Sequence, residues 1–359
     1  MTTPALRNII ISSEAASSAI AKKVTKAWPN VDTIIVDDPA RYDRKFDMDD
    51  DPVLSGKRTL VLAPNKGRFI RKCPGTMGLV CCNYYVIDLA EGCSIDCSYC
   101  ILQGYLTDRR IRLATNIDDL EKQIDQTLEN SGRPIRLGTG ELSDSLMFDN
   151  ELGLARILID LIRERPQATL ELKTKTDNIQ NILDIDPAPN VVIGWSLNTP
   201  EVIAKDERGS ASLDNRLLAA KKVVDAGWKV AFHFDPLVIH PGWQDGYKKV
   251  VDGLFTATSP DKIAWISMGA LRFHPSLKQI IKNRFGQSDL LKSQFVLCPD
   301  NKMRYVKPLR KELLAHLKSL ILSKAPDVPL YFCMEGIEMW RGILGGSPAS
   351  LGILDEVFG

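Results

Sequence analysis

The sequence lacks the features that would place the chain in a membrane or outside the cell. It has no run of about 18 apolar residues that could span a bilayer. It also does not begin with a basic leader followed by a long apolar stretch. We therefore expect no membrane segment, no signal peptide and a cytoplasmic protein. In that reducing compartment the eight cysteines would serve as metal ligands or pack in the core.

An excess of charge of one sign is absent as well. The net charge is +1, with 25% charged and 44% hydrophobic residues, which is ordinary for a globular protein. This balance argues neither for nor against a polyanionic partner, because a local basic face can lie within a neutral total. There is no low-complexity linker, and the only internal repetition is an alternation of strand and helix patterns.

Cysteine spacing is the most specific feature that is present. An apolar run at 84–89 predicts a buried strand, the pattern breaks at Gly92, and Cys93, Cys97 and Cys100 follow as CxxxCxxC. Eight cysteines in 359 residues would produce about 0.004 such triplets by chance. Three thiolates are one ligand short of a structural zinc site, so they indicate a metal site with one open position. Packing cysteines, a disulfide pair and a zinc site completed by a distant residue stay open as alternatives.

Strand and helix patterns alternate after residue 83. Strands are predicted at 84–89, 135–138, 169–173, 191–196, 229–234 and 262–268. Helices are predicted at 117–128, 151–164, 212–225 and 243–255. Six consecutive β/α units imply a parallel α/β sheet that can curl into a partial (β/α)6 barrel. Its chemistry would lie at the carboxyl ends of the strands, where the cysteine loop is found.

Smaller segments flank the predicted barrel, which takes residues 83–270. Residues 1–82 are predicted to form an α/β extension, with a helix at 13–28 and strands at 32–36 and 58–62. Residues 271–359 are predicted to form a C-terminal extension that packs on the barrel and contacts substrate or DNA. It carries a helix at 308–323 and a strand at 329–333. An acidic run at Asp47, Asp49, Asp50 and Asp51 lacks the glycine of a calcium loop, so a solvated loop is expected.

The cysteine motif resembles that of the radical S-adenosylmethionine (SAM) superfamily, which has the spacing after a strand and an aromatic, here Tyr99, before the last cysteine. In that superfamily the cysteines hold a 4Fe–4S cluster, SAM binds the fourth iron, and one electron cleaves SAM to give a 5′-deoxyadenosyl radical. The resemblance implies that Cys93, Cys97 and Cys100 ligate such a cluster. It also implies SAM as a cofactor and a low-potential electron donor such as flavodoxin or ferredoxin. The superfamily's partial barrel agrees with the fold predicted above.

Polar residues at the ends of the following strands are candidates for binding SAM. Glycines let a backbone approach a ligand closely, and a carboxylate accepts hydrogen bonds from an ammonium group. By the resemblance, the SAM contacts would be Gly140, Glu141, Lys175, Ser196 and Asn198. For Glu141 a simple turn with a surface carboxylate stays open as an alternative.

A closer resemblance, over about residues 60 to 330, is to the spore photoproduct lyase family. It is carried by the phrases at 99–103, 196–198, 212–216 and 239–243. Members of that family revert a crosslinked thymine dimer in DNA to two thymines. The resemblance implies a lyase-type radical SAM enzyme with damaged DNA as its partner. His240 and Trp243, in the last phrase, could instead pack the barrel.

Two departures from the lyase family bear on mechanism. The lyases carry a cysteine after the second strand that returns a hydrogen atom to the product radical, and Glu141 stands there in this chain. They also have a tyrosine after the third cluster cysteine, where this chain has Ile101. We expect Tyr99 and Glu141 to take part in catalysis, with Cys298 or Cys333 as the replacement thiol.

Two basic clusters could contact phosphate groups or simply face solvent. One consists of Lys66, Arg68, Arg71 and Lys72, and the other of Lys302, Arg304, Tyr305, Lys307, Arg310 and Lys311. The function expected is therefore radical SAM repair of a thymine photoproduct. Radical chemistry on a different substrate and a non-catalytic metal- or DNA-binding protein are the alternatives.

Overall fold

The computed structural model describes residues 5–42 and 49–353. Asp47 of the predicted acidic loop lies outside the described residues. The strands are β1 (Asn8–Ser12), β2 (Asp32–Val36), β3 (Thr59–Ala63), β4 (Ile70–Lys72), β5 (Tyr85–Ile87), β6 (Ala90–Glu91), β7 (Asp96–Cys97), β8 (Ile111–Ala114), β9 (Ile135–Gly138), β10 (Ala168–Thr174), β11 (Val191–Ser196), β12 (Glu207–Arg208), β13 (Lys229–Leu237), β14 (Ile263–Ala270), β15 (Arg272–Phe273), β16 (Phe295–Leu297), β17 (Met303–Tyr305) and β18 (Leu330–Phe332).

Helices cover the sheets and fill the connections. They are α1 (Ala19–Ala27), α2 (Pro52–Gly56), α3 (Leu102–Tyr105), α4 (Ile117–Ser131), α5 (Asp149–Leu152), α6 (Leu154–Arg163), α7 (Gln180–Leu183), α8 (Pro200–Asp206), α9 (Leu213–Asp225), α10 (Trp243–Ala257), α11 (Leu277–Arg284), α12 (Lys307–Lys324) and α13 (Ile337–Met339). Short 3₁₀ turns lie at Ser13–Ala15, Pro39–Arg41 and Pro260–Lys262, and a π-helical turn lies at Trp340–Leu344. Among the residues described, no helix combines the length and apolarity needed to cross a bilayer.

The larger sheet is the predicted α/β partial barrel. Its strand order is β18-β14-β13-β11-β10-β9-β5-β4, and every pairing is parallel except that of β4 with β5. All six predicted barrel strands are present, and the sheet curls into a half barrel. β18, which lies in the predicted C-terminal extension, adds a further parallel strand beside β14. The edge strands β18 and β4 border the open side of the half barrel, which we call the seam.

Burial explains why these segments form strands. Every residue of β11 is buried, as expected for a parallel strand that is covered on one side by helices and faces the barrel interior on the other. Successive side chains alternate between the two sides, so residues two apart share a face. On β10 this places Glu171, Lys173 and, just after the strand, Lys175 on the interior side.

The smaller sheet joins the N-terminal extension to the cysteine loop. Its order is β2-β1-β3-β8-β6, with β1, β2, β3 and β8 parallel and β6 antiparallel to β8. The helix predicted at 13–28 begins as a 3₁₀ turn and becomes α1 only at Ala19, because the Ser18 hydroxyl accepts a hydrogen bond from Ala21 N at 3.1 Å. β6 ends two residues before Cys93, so this sheet fixes where the cysteine loop starts.

Candidate functional site

The loop between β6 and α3 carries the three cysteines and is held by hydrogen bonds to its backbone. Lys57 Nζ donates to Cys93 O at 2.9 Å, and Gln103 Nε2 donates to Cys97 O at 3.0 Å. The short strands β7 and β12 pair antiparallel and place Cys97 opposite Glu207. These contacts order the loop backbone within the protein itself, and Cys93, Cys97 and Cys100 lie within electrostatic range of one another.

The chemistry of the donor set fits an iron–sulfur cluster. Burial raises the pKa of the Cys93 thiol to about 12, against the opposing charge of Lys57. Burial also raises the pKa of Cys97, and Glu207 adds to this shift while Lys175 opposes it. Buried neutral thiols release their protons when a metal binds. In a cluster each thiolate binds a different iron, so the sulfurs need not meet at one point. In the described part of the chain, no three His, Cys, Asp or Glu side chains are grouped to hold a single ion.

A buried glutamate that the sequence analysis missed connects two of the predicted site residues. Glu207 is 1% exposed, and its Oε1 lies 3.2 Å from Lys175 Nζ and accepts a hydrogen bond from the Tyr99 hydroxyl. Its Oε2 accepts a hydrogen bond from Arg216 Nη2 at 2.6 Å. Burial alone would raise the pKa of Glu207, but Lys175 and Arg216 outweigh burial and lower it to about 2. Glu207 therefore holds Lys175 and Tyr99 side by side next to the cysteine loop.

Two further predicted contacts lie at the end of β11. Ser196 is buried, and its carbonyl accepts a hydrogen bond from Arg216 Nη1 at 2.8 Å. The amide of Asn198 donates to Pro236 O at 2.9 Å and accepts from the Tyr247 hydroxyl at 2.8 Å. Both ends of that amide are thus engaged within the protein, where they fix the loop that follows β11.

Glu141 lies beside an arginine from one of the predicted basic clusters. Arg71 Nη2 is 3.0 Å from Glu141 Oε2, and Arg71 Nε donates to Asp88 at 2.7 Å. Arg71 thus fixes the position of this carboxylate, and a carboxylate has further lone pairs that can accept a hydrogen bond from an ammonium group. A β-carbon on Gly140 would lie 3.0 Å from Lys173 Cβ, so packing against Lys173 already favours glycine there.

Asp144 is a second buried carboxylate that sequence analysis did not single out. It accepts hydrogen bonds from Thr174 Oγ1 and Lys175 N, both at 2.7 Å. Burial raises the pKa of Asp144 although these hydrogen bonds oppose the shift. Asp144 also adds to the raised pKa of Cys93, which shows that it lies close to that thiol. The carboxylate thus ties the loop after β9 to the backbone that carries Lys175.

The two candidate replacement thiols occupy different places. Cys333 follows β18 and is half-buried, and Arg272 Nη2 donates to its sulfur at 3.6 Å. Because Cys333 is two residues beyond the inward-facing Tyr331, its side chain faces the barrel interior. Cys298 lies on the turn between β16 and β17, where its N–H donates to Lys302 O at 2.9 Å. Of the two, Cys333 is the thiol inside the barrel.

Several residues of the C-terminal basic cluster are paired or buried. Arg304 donates to Asp300 at 2.7 Å, and Arg310 lies 3.2 Å from Glu335. Tyr305 is fully buried. These interactions leave less free positive charge on this segment than the sequence suggests.

The segment at 239–243, which contains His240 and Trp243, packs against the barrel. His240 Nε2 lies 2.9 Å from Thr199 Oγ1, and Trp243 is buried with its ring 5.2 Å from that of His316. These contacts support the packing alternative for both residues.

Elsewhere, Asp51 of the acidic run accepts a hydrogen bond from Leu54 N at 3.0 Å at the start of α2.

Comparison with known proteins gives one consistent family. The family model described as spore photoproduct lyase matches residues 56–319. The spore photoproduct lyase of Geobacillus sp. (strain Y412MC61) is 29% identical over 210 residues, which are 57% of this chain and 62% of that protein. The spore photoproduct lyase of Bacillus subtilis (strain 168) is 28% identical over 210 residues, 57% of this chain and 61% of that protein. The chain thus spans about three fifths of the length of these curated relatives.

Solved structures extend the likeness in fold to most of the chain. A spore photoproduct lyase variant superposes with a TM-score of 0.79 at 23% identity, covering 91% of this chain and 98% of that one. A spore photoproduct lyase complexed with dinucleoside spore photoproduct gives 0.79 at 22% identity, covering 92% and 99%. Since the family model covers well over half of the sequence, the chain belongs to the spore photoproduct lyase family, and so to the radical SAM superfamily.

Proposed function

We propose that the chain is a radical SAM lyase that repairs a thymine photoproduct in DNA. The observation that carries this proposal is the CxxxCxxC loop, held by Lys57 and Gln103 at the carboxyl end of a half barrel. Family membership supports it. So do solved relatives, one described as complexed with dinucleoside spore photoproduct and another with bound AdoMet as well.

In this proposal Cys93, Cys97 and Cys100 ligate a 4Fe–4S cluster. When bound, the cluster and SAM supply a carbon-centred radical that abstracts a hydrogen atom from the substrate. The chain's own part is to hold the cysteine loop through backbone hydrogen bonds and to exclude water from it by burial. Lys57 does the first, since its ammonium group donates to Cys93 O at 2.9 Å.

The residues assigned to SAM lie around the cysteine loop. Lys175 supplies a positive charge for the SAM carboxylate, and Glu207 keeps that ammonium group in place. The Glu141 carboxylate, which Arg71 contacts at 3.0 Å, suits the SAM ammonium group. Gly140 and Ser196 are also assigned to SAM, and Asn198, which is bonded to Pro236 and Tyr247, is assigned to shaping the same site.

Glu141 is assigned to binding because a carboxyl O–H bond is too strong to donate a hydrogen atom to a product radical. A thiol inside the barrel suits that step better, and Cys333, which Arg272 contacts at 3.6 Å, is the proposed donor. Tyr99, which donates to Glu207, is proposed to take part in hydrogen transfer.

The departures at Glu141 and Ile101 favour one specific alternative, which is radical chemistry on a different lesion or substrate. The proposed partners are damaged DNA and a low-potential electron donor such as flavodoxin or ferredoxin. The proposed place of action is the cytoplasm, where a reducing environment keeps cysteines available as metal ligands.

The deciding experiment uses the chain reconstituted anaerobically with iron and sulfide. SAM, dithionite and an oligonucleotide that contains 5-thyminyl-dihydrothymine are added, and the products are separated by chromatography. The proposal expects the lesion to revert to two thymines. SAM cleavage to 5′-deoxyadenosine with an intact lesion would support the alternative substrate, and no cleavage at all would indicate a non-catalytic protein. Cys97→Ala is the control that should lose both reactions.

A further inference from the structure

The loop between β4 and β5 crosses the seam of the half barrel. We call residues 73–83 the seam loop. On the far side of the seam, Val80 N–H donates to Glu335 O at 3.0 Å, and Lys302 Nζ donates to Thr76 Oγ1 at 3.4 Å. Glu335 lies just beyond β18, so the loop reaches from one edge strand of the sheet to the other.

The seam loop descends along β18 in the direction opposite to that strand. Val80 is level with Glu335, beyond the carboxyl end of β18. Two residues later, Cys82 Sγ accepts a hydrogen bond from Arg136 Nη2 at 3.1 Å. The same guanidinium group lies 5.4 Å from the ring centroid of Tyr331, which is within β18. Between Val80 and Cys82 the loop has therefore moved down the strand toward Tyr331.

On the β18 side of the seam, Cys333 lies between Tyr331 and Glu335. It is two residues after Tyr331 and two before Glu335, and its N–H donates to Met268 O at 2.9 Å, which continues the β18 pairing. Its side chain shares the inward face of Tyr331. Cys82 on the seam loop and Cys333 after β18 thus lie on opposite sides of the seam at neighbouring levels.

Both thiols are reduced and half-buried, so a small oxidant can reach them. Each is contacted by a guanidinium group, Cys82 by Arg136 at 3.1 Å and Cys333 by Arg272 at 3.6 Å. Burial raises the pKa of Cys333, and Cys82 is among the neighbours that add to this shift. This contribution agrees with two sulfurs that lie near each other.

We propose that Cys82 and Cys333 form a reversible disulfide that fastens the seam loop to β18 and closes the open side of the half barrel. With hydrogen peroxide as oxidant, one thiol becomes a sulfenic acid and one water is released. The second thiol then attacks that sulfur, the S–S bond forms and a second water leaves. Two electrons and two protons pass from the thiols to the peroxide. A dithiol reductant of the thioredoxin class returns both thiols by exchange.

The consequence is control of access from the side. With the bond formed, the seam loop cannot swing away from β18, and the interior behind it is sealed at this edge. The Val80–Glu335 hydrogen bond alone holds the seam loop only weakly, because a single such bond contributes only about 1 kcal/mol to stability. The disulfide would also withhold Cys333 from its proposed role as hydrogen-atom donor, but its formation goes beyond the proposed lyase activity and does not depend on it.

The test treats the reconstituted chain with graded hydrogen peroxide, blocks remaining thiols with iodoacetamide and analyses unreduced digests by mass spectrometry. We expect a linked peptide pair joining the Cys82 segment to the Cys333 segment, and its loss after dithiothreitol. Labelling of both thiols should fall roughly tenfold. Amide hydrogen exchange in residues 74–80 should slow by a similar factor on oxidation, because local opening is suppressed.

Single cysteine-to-serine variants show which two cysteines form the disulfide. The cross-link should vanish in Cys82→Ser and in Cys333→Ser, and it should persist in Cys81→Ser and in Cys298→Ser. A linkage through Cys81 instead, or oxidation of the two thiols without any linkage, would overturn the proposal. If Cys82→Ser fails to fold, the digests of the wild type and of Cys81→Ser still decide the assignment, because each shows whether a peptide that contains Cys82 is linked to one that contains Cys333.

Discussion

Replacing Glu207 with Gln removes one buried negative charge and leaves the shape of the side chain almost unchanged. Arg216 would then be buried, with 0% exposure, and have only neutral acceptors such as Ser196 O at 2.8 Å. The pKa of Glu207 falls from an ordinary glutamate value to about 2, and a shift of that size corresponds to about 3 kcal/mol. Breaking a buried ion pair from one side costs a similar amount, about 3–5 kcal/mol. We therefore expect Glu207→Gln to lose about 3 kcal/mol of unfolding free energy.

Urea denaturation of the cluster-free chain, followed by circular dichroism, measures this loss. Glu338→Gln is the matched control, because Glu338 pairs with Lys307 on the surface and its removal should leave the urea midpoint unchanged. Since the folded-state pKa of Glu207 is lowered, its contribution is fully present above about pH 4.5 and is lost as the pH falls toward about 2. The variant should therefore lose less stability than the wild type over that acid range. Equal urea midpoints for Glu207→Gln and the wild type would refute the reasoning.

Other substitutions test the packing of the half barrel by the same denaturation assay. Gly138→Ala should destabilise the chain by about 1–3 kcal/mol, because a β-carbon there would overlap the Tyr84 hydroxyl. Gly342→Ala, with open space around it, should have little effect, and equal losses in the two would contradict the packing argument. Leu172→Ala, at a fully buried position on β10, should cost about 2–5 kcal/mol. Leu218→Ala, where the side chain is 53% exposed, should cost far less.

The barrel strands and the cysteine loop were predictable because their signals are local. Runs such as 191–196 are apolar throughout, and the triplet at Cys93, Cys97 and Cys100 has a spacing that chance does not explain. Strand bounds were recovered to within a few residues for the same reason. Where a segment carries its own pattern, tertiary contacts only adjust its ends.

Other features depend on contacts between distant segments, and the sequence pattern does not contain them. β18 has three residues, and only its pairing with β14 makes it part of the barrel. Glu207 follows a helix in a region without catalytic signals, and its importance comes from Lys175 and Arg216, which reach it in the fold. Arg310 of the basic cluster looked free in sequence because its partner Glu335 lies 25 residues further along the chain and reaches it only in the fold.

The central claim is that three thiols in one loop hold an iron–sulfur cluster. Its most direct test is the iron and sulfide content of the chain after anaerobic reconstitution, compared between the wild type and Cys97→Ala. The account predicts about four irons and about four sulfides per wild-type chain and loss of the cluster in the variant. The same iron content in both proteins, or one tightly bound zinc in place of iron, would contradict it.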